Sequence, residues 1–303
     1  MINNIKLSNG LTLPNLCFGT GIVHTYRYRD CSKKSERKYF LNNFFHNRKK
    51  YNIDKNFSDV INYALECGCY MFDTSRAYGG SEYALGKALS KINRESYIVV
   101  SKVSNADQYK GNIEAGLEES LKELSMDYLD VYLLHWPVEG VWLNSWKQME
   151  KLYAKGVCKA IGVCNCNIHH LEELKKSAEV MPMINQFECH PLFTQNELRQ
   201  YCNDNDIQVM AYTSTARMDE RLRKTVLIPL SKKYGKTMAQ IILRWHIQIG
   251  NIPVFNSFDK VHIGQNLNVF DFELSQSEID SITKININSR LRYDPDNCNF
   301  RQL

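Results

Sequence analysis

Eight short apolar runs recur along this chain, each followed by a stretch of helical period or by a loop leading to one. They are Leu16–Gly19, Cys69–Asp73, Tyr97–Lys102, Leu129–Leu134, Lys159–Val163, Met183–Phe187, Ile207–Ala211 and Ile252–Phe255. Between them Ile113, Leu117, Leu121 and Leu124 fall on one helical face, as do Trp142, Trp146, Met149 and Tyr153, and again Met238, Ile241, Ile242, Trp245 and Ile249. Strands without polar alternation are buried on both faces, and with helices between them they build a parallel sheet. The rhythm is regular: Asp73, Lys102, His135, Cys164, Gln186 and Tyr212, at or beside successive run ends, lie 29, 33, 29, 22 and 26 residues apart. Eight such units close into an α/β (β/α)8 barrel, and the 303 residues moderately exceed the roughly 250 typical of that fold. Ahead of the first unit, Asn9-Gly10 between Ile5–Leu7 and Leu11–Leu13 predicts a tight β-hairpin covering the barrel floor.

The competing architecture is an open doubly wound sheet. Gly19-Thr20-Gly21 begins a dinucleotide fingerprint, but His24 stands where the third glycine belongs. Gly235-Lys236-Thr237 resembles the end of a phosphate loop, but the glycine needed at position 230 is Leu230. No composition break divides the chain, so one barrel domain over residues 1–303 is expected. Its anomaly is a basic insertion at about 26–50: from Tyr26 to Lys50 stand nine Lys or Arg against Asp30 and Glu36, a charge of +7 in a chain of net +5. Basicity confined to one segment gives no reason to expect a nucleic-acid partner. No run reaches the ~18 apolar residues of a membrane span, and Met1–Lys6 lacks a signal-type apolar stretch. A soluble, cytoplasmic monomer without membrane partners is expected. None of the ten cysteines forms a C-x-x-C pair and no histidine follows at finger-like spacing, so reduced, buried thiols and no metal are expected.

Asp73, Lys102 and His135 each stand where an apolar run ends, and Tyr78 follows five residues after the first. In a barrel the strand ends open on one face, so these groups converge although distant in sequence. Their types suit delivery of a proton to a carbonyl. Hydride addition leaves an alkoxide that must be protonated, and tyrosine, with a pKa of about 10, is a slow donor at neutral pH. A lysine about 4 Å away at an effective dielectric of 20 supplies about 4 kcal/mol, enough to make the phenol more acidic. Lys102, on a buried strand end, needs Asp73 as counter-charge, and a neutral His135 can donate to the carbonyl oxygen. Taken singly, each is as readily a satisfied buried polar group; four at strand ends on one face point to a site.

These residues sit in Phe-Asp-Thr-Ser-Arg-Ala-Tyr-Gly-Gly-Ser-Glu (72–82), Val-Val-Ser-Lys-Val (99–103), Leu-Leu-His-Trp-Pro (133–137), Ala-Ile-Gly-Val-Cys-Asn (160–165) and Asn-Gln-Phe-Glu-Cys-His-Pro (185–191). In type and order these motifs resemble the aldo-keto reductases, in particular short-loop, prokaryote-like carbonyl and aldehyde reductases. The resemblance implies NAD(P)H-dependent reduction of small-molecule aldehydes and ketones to alcohols, with Tyr78 as general acid, Lys102 and Asp73 tuning it, and His135 positioning the carbonyl. It implies further that Asn165 and Gln186, beside Cys164, hold the nicotinamide carboxamide, that Tyr212, followed by Thr213, stacks on the ring, and that Thr20 borders the same pocket. Gly21 and Trp136 fall on the substrate side. Ser257, Phe258, His262, Gln265 and Asn266 fall at the adenosine end of the cofactor.

Three departures stand out. Cys164 replaces the serine usual before the carboxamide-binding Asn, a weaker hydrogen-bond donor. Asn256 and His262 replace the Lys and Arg that clamp the 2′-phosphate of NADPH, so NADH becomes possible beside NADPH, with Lys260 as a candidate substitute cation. The enlarged first βα loop, Tyr26 to Lys50, is either a cationic lid or a solvated insertion. The loops after His135 and after Tyr212 are read as short, which predicts an open pocket. The tail from Arg292 to Phe300 is expected to edge it. The alternative reading is a cofactor-binding sensor or regulatory protein of the same fold with weak turnover; a metal-dependent barrel enzyme lacks a ligand cluster.

Overall fold

The computed structural model describes residues 4–21 and 57–297. An antiparallel hairpin, β1 (Asn4–Lys6) with β2 (Thr12–Pro14), opens the chain. Eight parallel strands then close a barrel: β3 (Cys17–Gly19), β4 (Met71–Asp73), β5 (Ile98–Val103), β6 (Leu129–Leu134), β7 (Cys158–Cys164), β8 (Ile184–Glu188), β9 (Gln208–Tyr212) and β10 (Ile252–Phe255). They follow chain order around the ring, with β10 pairing back onto β3. All eight strands coincide with the apolar runs to within two residues, and the doubly wound alternative is excluded by closure. The basic segment Tyr26 to Lys50, read as either a cationic lid or a solvated insertion, lies outside the described residues, as does the tail beyond Asn297. Among the described residues no helix is long and apolar enough to cross a membrane.

Alternate side chains of one strand serve two cores. On β6, Val131 and Leu133 point into the barrel beside Met71, Val100, Ile184, Met210 and Ile252, while Tyr132 and Leu134 pack outward against the helices. Leu7 and Leu13 of the hairpin join the inner cluster and seal the floor. The turn is wider than a two-residue hairpin: Leu7 N–H donates to Leu11 O at 2.8 Å, and Gly10 takes the left-handed position at φ 90°. Asn9 at its tip donates from Nδ2 to Lys159 O at 2.8 Å, tying the plug to the start of β7.

β7 carries small inward residues, Ala160 and Gly162, for a reason the geometry makes plain. A Cβ on Gly162 would lie 2.5 Å from Ile184 O and 2.7 Å from Leu133 Cδ2. The outer layer contains helices Ile113–Leu124, Trp142–Ala154 and Met238–Gln248, matching the three amphipathic stretches. Trp146 and Trp245 are fully buried on it and satisfy their indole N–H groups on Val180 O and Thr283 Oγ1, both at 3.1 Å. Each large side chain so buried contributes about 1.5 to 3 kcal/mol.

Candidate active site

The strand register brings the expected residues to one rim. Asp73 ends β4, Lys102 lies one residue before the end of β5, His135 follows β6, Asn165 follows β7, Gln186 lies in β8 and Tyr212 ends β9. Lys102 is completely buried, with Nζ 2.7 Å from both Asp73 Oδ2 and Thr74 O. The Tyr78 ring centroid is 4.9 Å from that nitrogen, and the ring meets His135 edge-on at 5.8 Å. Asp73 is also buried, whereas Tyr78 and His135 are half-buried at the mouth. Phenol, ammonium, carboxylate and imidazole therefore form one group.

Burial raises the Tyr78 pKa above its ordinary value, and the charge of Lys102, which pulls it down, does not outweigh that loss of hydration. The expected acidification of the phenol is thus not the net result. Asp73, 2.7 Å from the ammonium, also opposes it. The phenol therefore stays protonated at neutral pH, with its proton available to give. His135 is driven to about 3 by burial and by Lys102, so it is neutral and keeps one N–H to offer.

The two amides meet the rim differently from the simplest reading. Gln186 donates from Nε2 to Asp73 Oδ2 at 2.8 Å, and Cys164 Sγ lies 3.9 Å from its Oε1. Asn165 donates to His135 O at 3.0 Å and accepts from the Tyr212 hydroxyl at 2.6 Å. Asn165 and Thr213 both hold left-handed backbone, φ 60° and 52°, which is costly for a β-branched residue. Thr20 is fully buried: its hydroxyl donates to Asp73 O at 2.9 Å and meets Ser81 Oγ at 2.6 Å. Its hydroxyl ties the end of β3 to the end of β4. A Cβ on Gly21 would lie 3.3 Å from the Tyr78 ring, and Trp136 packs 6.3 Å from the His135 ring.

Among the residues expected at the adenosine end, Ser257 Oγ accepts from Asp259 N–H at 3.0 Å and Asp259 caps helix Lys260–Leu267 through Val261 N–H at 2.8 Å. His262 Nδ1 lies 4.0 Å from the Asp259 carboxylate. Lys260 sits over the Tyr63 ring at 5.4 Å. Phe258 and Asn256 are exposed, Asn266 is buried, and Gln265 borders a groove of about 570 Å³ shared with Lys236 and Asn268.

Several residues at this rim lie inside the 72–82 motif but are given no role by it. Ser75 Oγ lies 3.4 Å from His135 Nδ1, Ser81 links Thr20 to Thr74, and Arg76 anchors the Tyr78 loop to Asp107 at 2.7 Å and to Glu119. The segment after Tyr212 is longer than read: two short 3-10 turns, Ala216–Met218 and Glu220–Lys224, precede helix Leu227–Tyr234. Behind it, fully buried His246 donates from Nε2 to Ser214 O at 3.0 Å and its Nδ1 accepts from Asn251 at 3.1 Å. The Asn251 bond requires a neutral ring protonated at Nε2, and burial holds its pKa at about 3. The unfolded chain, with histidine near 6.5, binds more protons below that pH, so this contribution to stability is complete above pH ~6.5 and is lost as pH falls toward 3. The urea midpoint should therefore drop between pH 7 and 5, and His246→Gln should flatten the drop; a wild-type midpoint constant over that range refutes the assignment.

The donor set, two primary amides and a half-buried aromatic ring beside a buried ammonium, fits a nicotinamide group. The sequence profile of the Aldo/keto reductase family matches residues 42–287. Glyoxal reductase of Bacillus subtilis is 40% identical over 244 residues, covering 80% of this chain and 88% of the relative. Methylglyoxal reductase DkgA of Salmonella typhimurium is 40% identical over 242 residues, 78% of this chain and 87% of the relative. Among solved structures, a Bombyx mori aldo-keto reductase in complex with NADP superimposes with a TM-score of 0.80 at 28% identity, covering 98% of this chain and 96% of that one. Barrel, rim and comparisons agree: the chain belongs to the aldo/keto reductase family of NAD(P)H-dependent carbonyl reductases.

Proposed function

We propose that this chain reduces small aldehydes and α-dicarbonyl compounds of the glyoxal type, with Tyr78 as the acid. The observation that carries the reading is a fully buried Lys102–Asp73 pair 4.9 Å from the ring of a half-buried tyrosine, with a neutral imidazole edge-on to it. A reduced nicotinamide cofactor supplies the hydride when bound. Asn165 and Gln186 would hold its carboxamide and Tyr212 its ring. His135 offers its N–H to the carbonyl oxygen and fixes which oxygen Tyr78 protonates. Lys102 stabilises the phenolate left behind, and Asp73 keeps Lys102 charged and in place. The dicarbonyl preference rests on the relatives named glyoxal and methylglyoxal reductase and on the mouth itself, where residues 135–141 are all that separates β6 from the next helix.

The adenosine corner supports a weak choice between cofactors. An exposed carboxylate, Asp259, and an imidazole stand there, Asn256 adds no charge, and Lys260 is engaged with Tyr63. With purified protein and glyoxal or methylglyoxal, loss of reduced-cofactor absorbance should be seen with both NADPH and NADH. Their kcat/KM values should agree within about tenfold, equivalent to 1.4 kcal/mol. Asn256→Lys with His262→Arg should shift the ratio toward NADPH. A wild-type preference for NADPH of several hundredfold overturns this, and cofactor binding with no turnover of any carbonyl favours a sensor of the same fold.

A further inference from the structure

We propose that His169, His170 and Asp296 form a site for a divalent transition ion of the zinc type, which staples the C-terminal segment to the start of helix Ile168–Lys175. Their ligand atoms lie within 4.8 Å of one another. His169 Nε2 is 3.2 Å and His170 Nε2 3.8 Å from Asp296 Oδ1. Zinc binds nitrogen and oxygen at about 2.0 to 2.2 Å, which sets tetrahedral ligand separations of roughly 3.3 to 3.6 Å. The two measured separations bracket that range. Two imidazoles and one carboxylate suit zinc over calcium or magnesium, which take all-oxygen shells.

Two of the three ligands are held before an ion arrives. Asn167 Nδ2 donates to Asp296 Oδ2 at 2.8 Å, leaving Oδ1 toward the histidines. His170 rests edge-on against Trp142 at 5.9 Å. One bond is exchanged on ligation: His170 Nδ1 accepts from Asn167 N–H at 3.1 Å, and coordination through Nε2 moves the ring proton to Nδ1 and opens that bond. Spacing could not have revealed the trio, because Asp296 follows His169 by 127 residues. Leu291 N–H and Arg292 N–H already bind the Glu188 carboxylate at 2.6 and 3.1 Å, so the ion would be a second fastening farther along the same tail. The site lies at the rim, since Asn167 follows the Asn165 turn by two residues.

Calorimetric titration of full-length protein with zinc, and with cobalt(II) as a visible probe, tests this. One ion per chain is expected; His169→Ala and Asp296→Ala should each weaken it by about tenfold or more, and Asn167→Ala by about tenfold. The cobalt spectrum should lack thiolate charge transfer, and zinc should slow tryptic cleavage after Arg292 in wild type but not in Asp296→Ala. Absence of stoichiometric binding at micromolar zinc overturns the proposal, as does binding insensitive to both alanine variants, a thiolate band pointing to cysteine, or cleavage unaffected by the ion. None of these readouts depends on turnover, so their failure leaves the reductase reading untouched.

Discussion

Tyr78→Phe is expected to lower kcat by about 10² to 10⁴-fold, the usual contribution of a positioned general acid. The substitution removes one hydroxyl and keeps the ring that packs against His135 and Gly21. Cofactor affinity should therefore be unchanged, as read by quenching of tryptophan fluorescence. Because the phenol acts on charge that develops only as hydride arrives, kcat and kcat/KM should fall together. The raised pKa of Tyr78 adds a second expectation: wild-type kcat should not decline through loss of the phenolic proton below pH ~10. A phenylalanine variant that reduces glyoxal at the wild-type rate removes Tyr78 from the chemistry.

Lys102→Met should be costly in two separable ways. Asp73 would remain buried without its ammonium, and breaking a buried ion pair from one side destabilises by about 3 to 5 kcal/mol. For a domain of this size that lowers the thermal midpoint by roughly 10 °C. Adding Asp73→Asn removes the stranded charge, so the double variant should regain most of that midpoint. Activity should not return, because no cation then faces the phenolate. Thermal melts and steady-state rates of the three variants decide it. A single variant as stable as wild type would show that the pair is not what holds this corner; a double variant with restored turnover would remove Lys102 from catalysis.

Periodicity reports burial, and burial is what made the barrel legible. Runs such as Tyr97–Val100 are apolar because one set of side chains fills the barrel and the other meets the helices, so both faces of the strand are buried. The same logic located Asp73, Lys102 and His135, since a charged residue ending such a run must lie at the rim. What a pattern of residue types does not contain is partner identity. That the Thr20 hydroxyl is committed to Asp73 O and Ser81 is an example. Ser75, Ser81 and Arg76 stood inside a quoted motif without a role, because their partners come from other strands and helices. The direction of the Tyr78 shift was equally unreadable: it is a balance between hydration lost and charge gained, and only distance and depth decide it.

Glu188 leaves a consequence for how this barrel can diversify. Both its oxygens accept from main-chain N–H groups of Leu291 and Arg292, so the carboxylate grips the terminal strap chiefly through backbone, with the Arg290 guanidinium 4.0 Å away as its side-chain contact. The side chains at 291 and 292 can therefore change by substitution while the seat that holds their backbone stays the same.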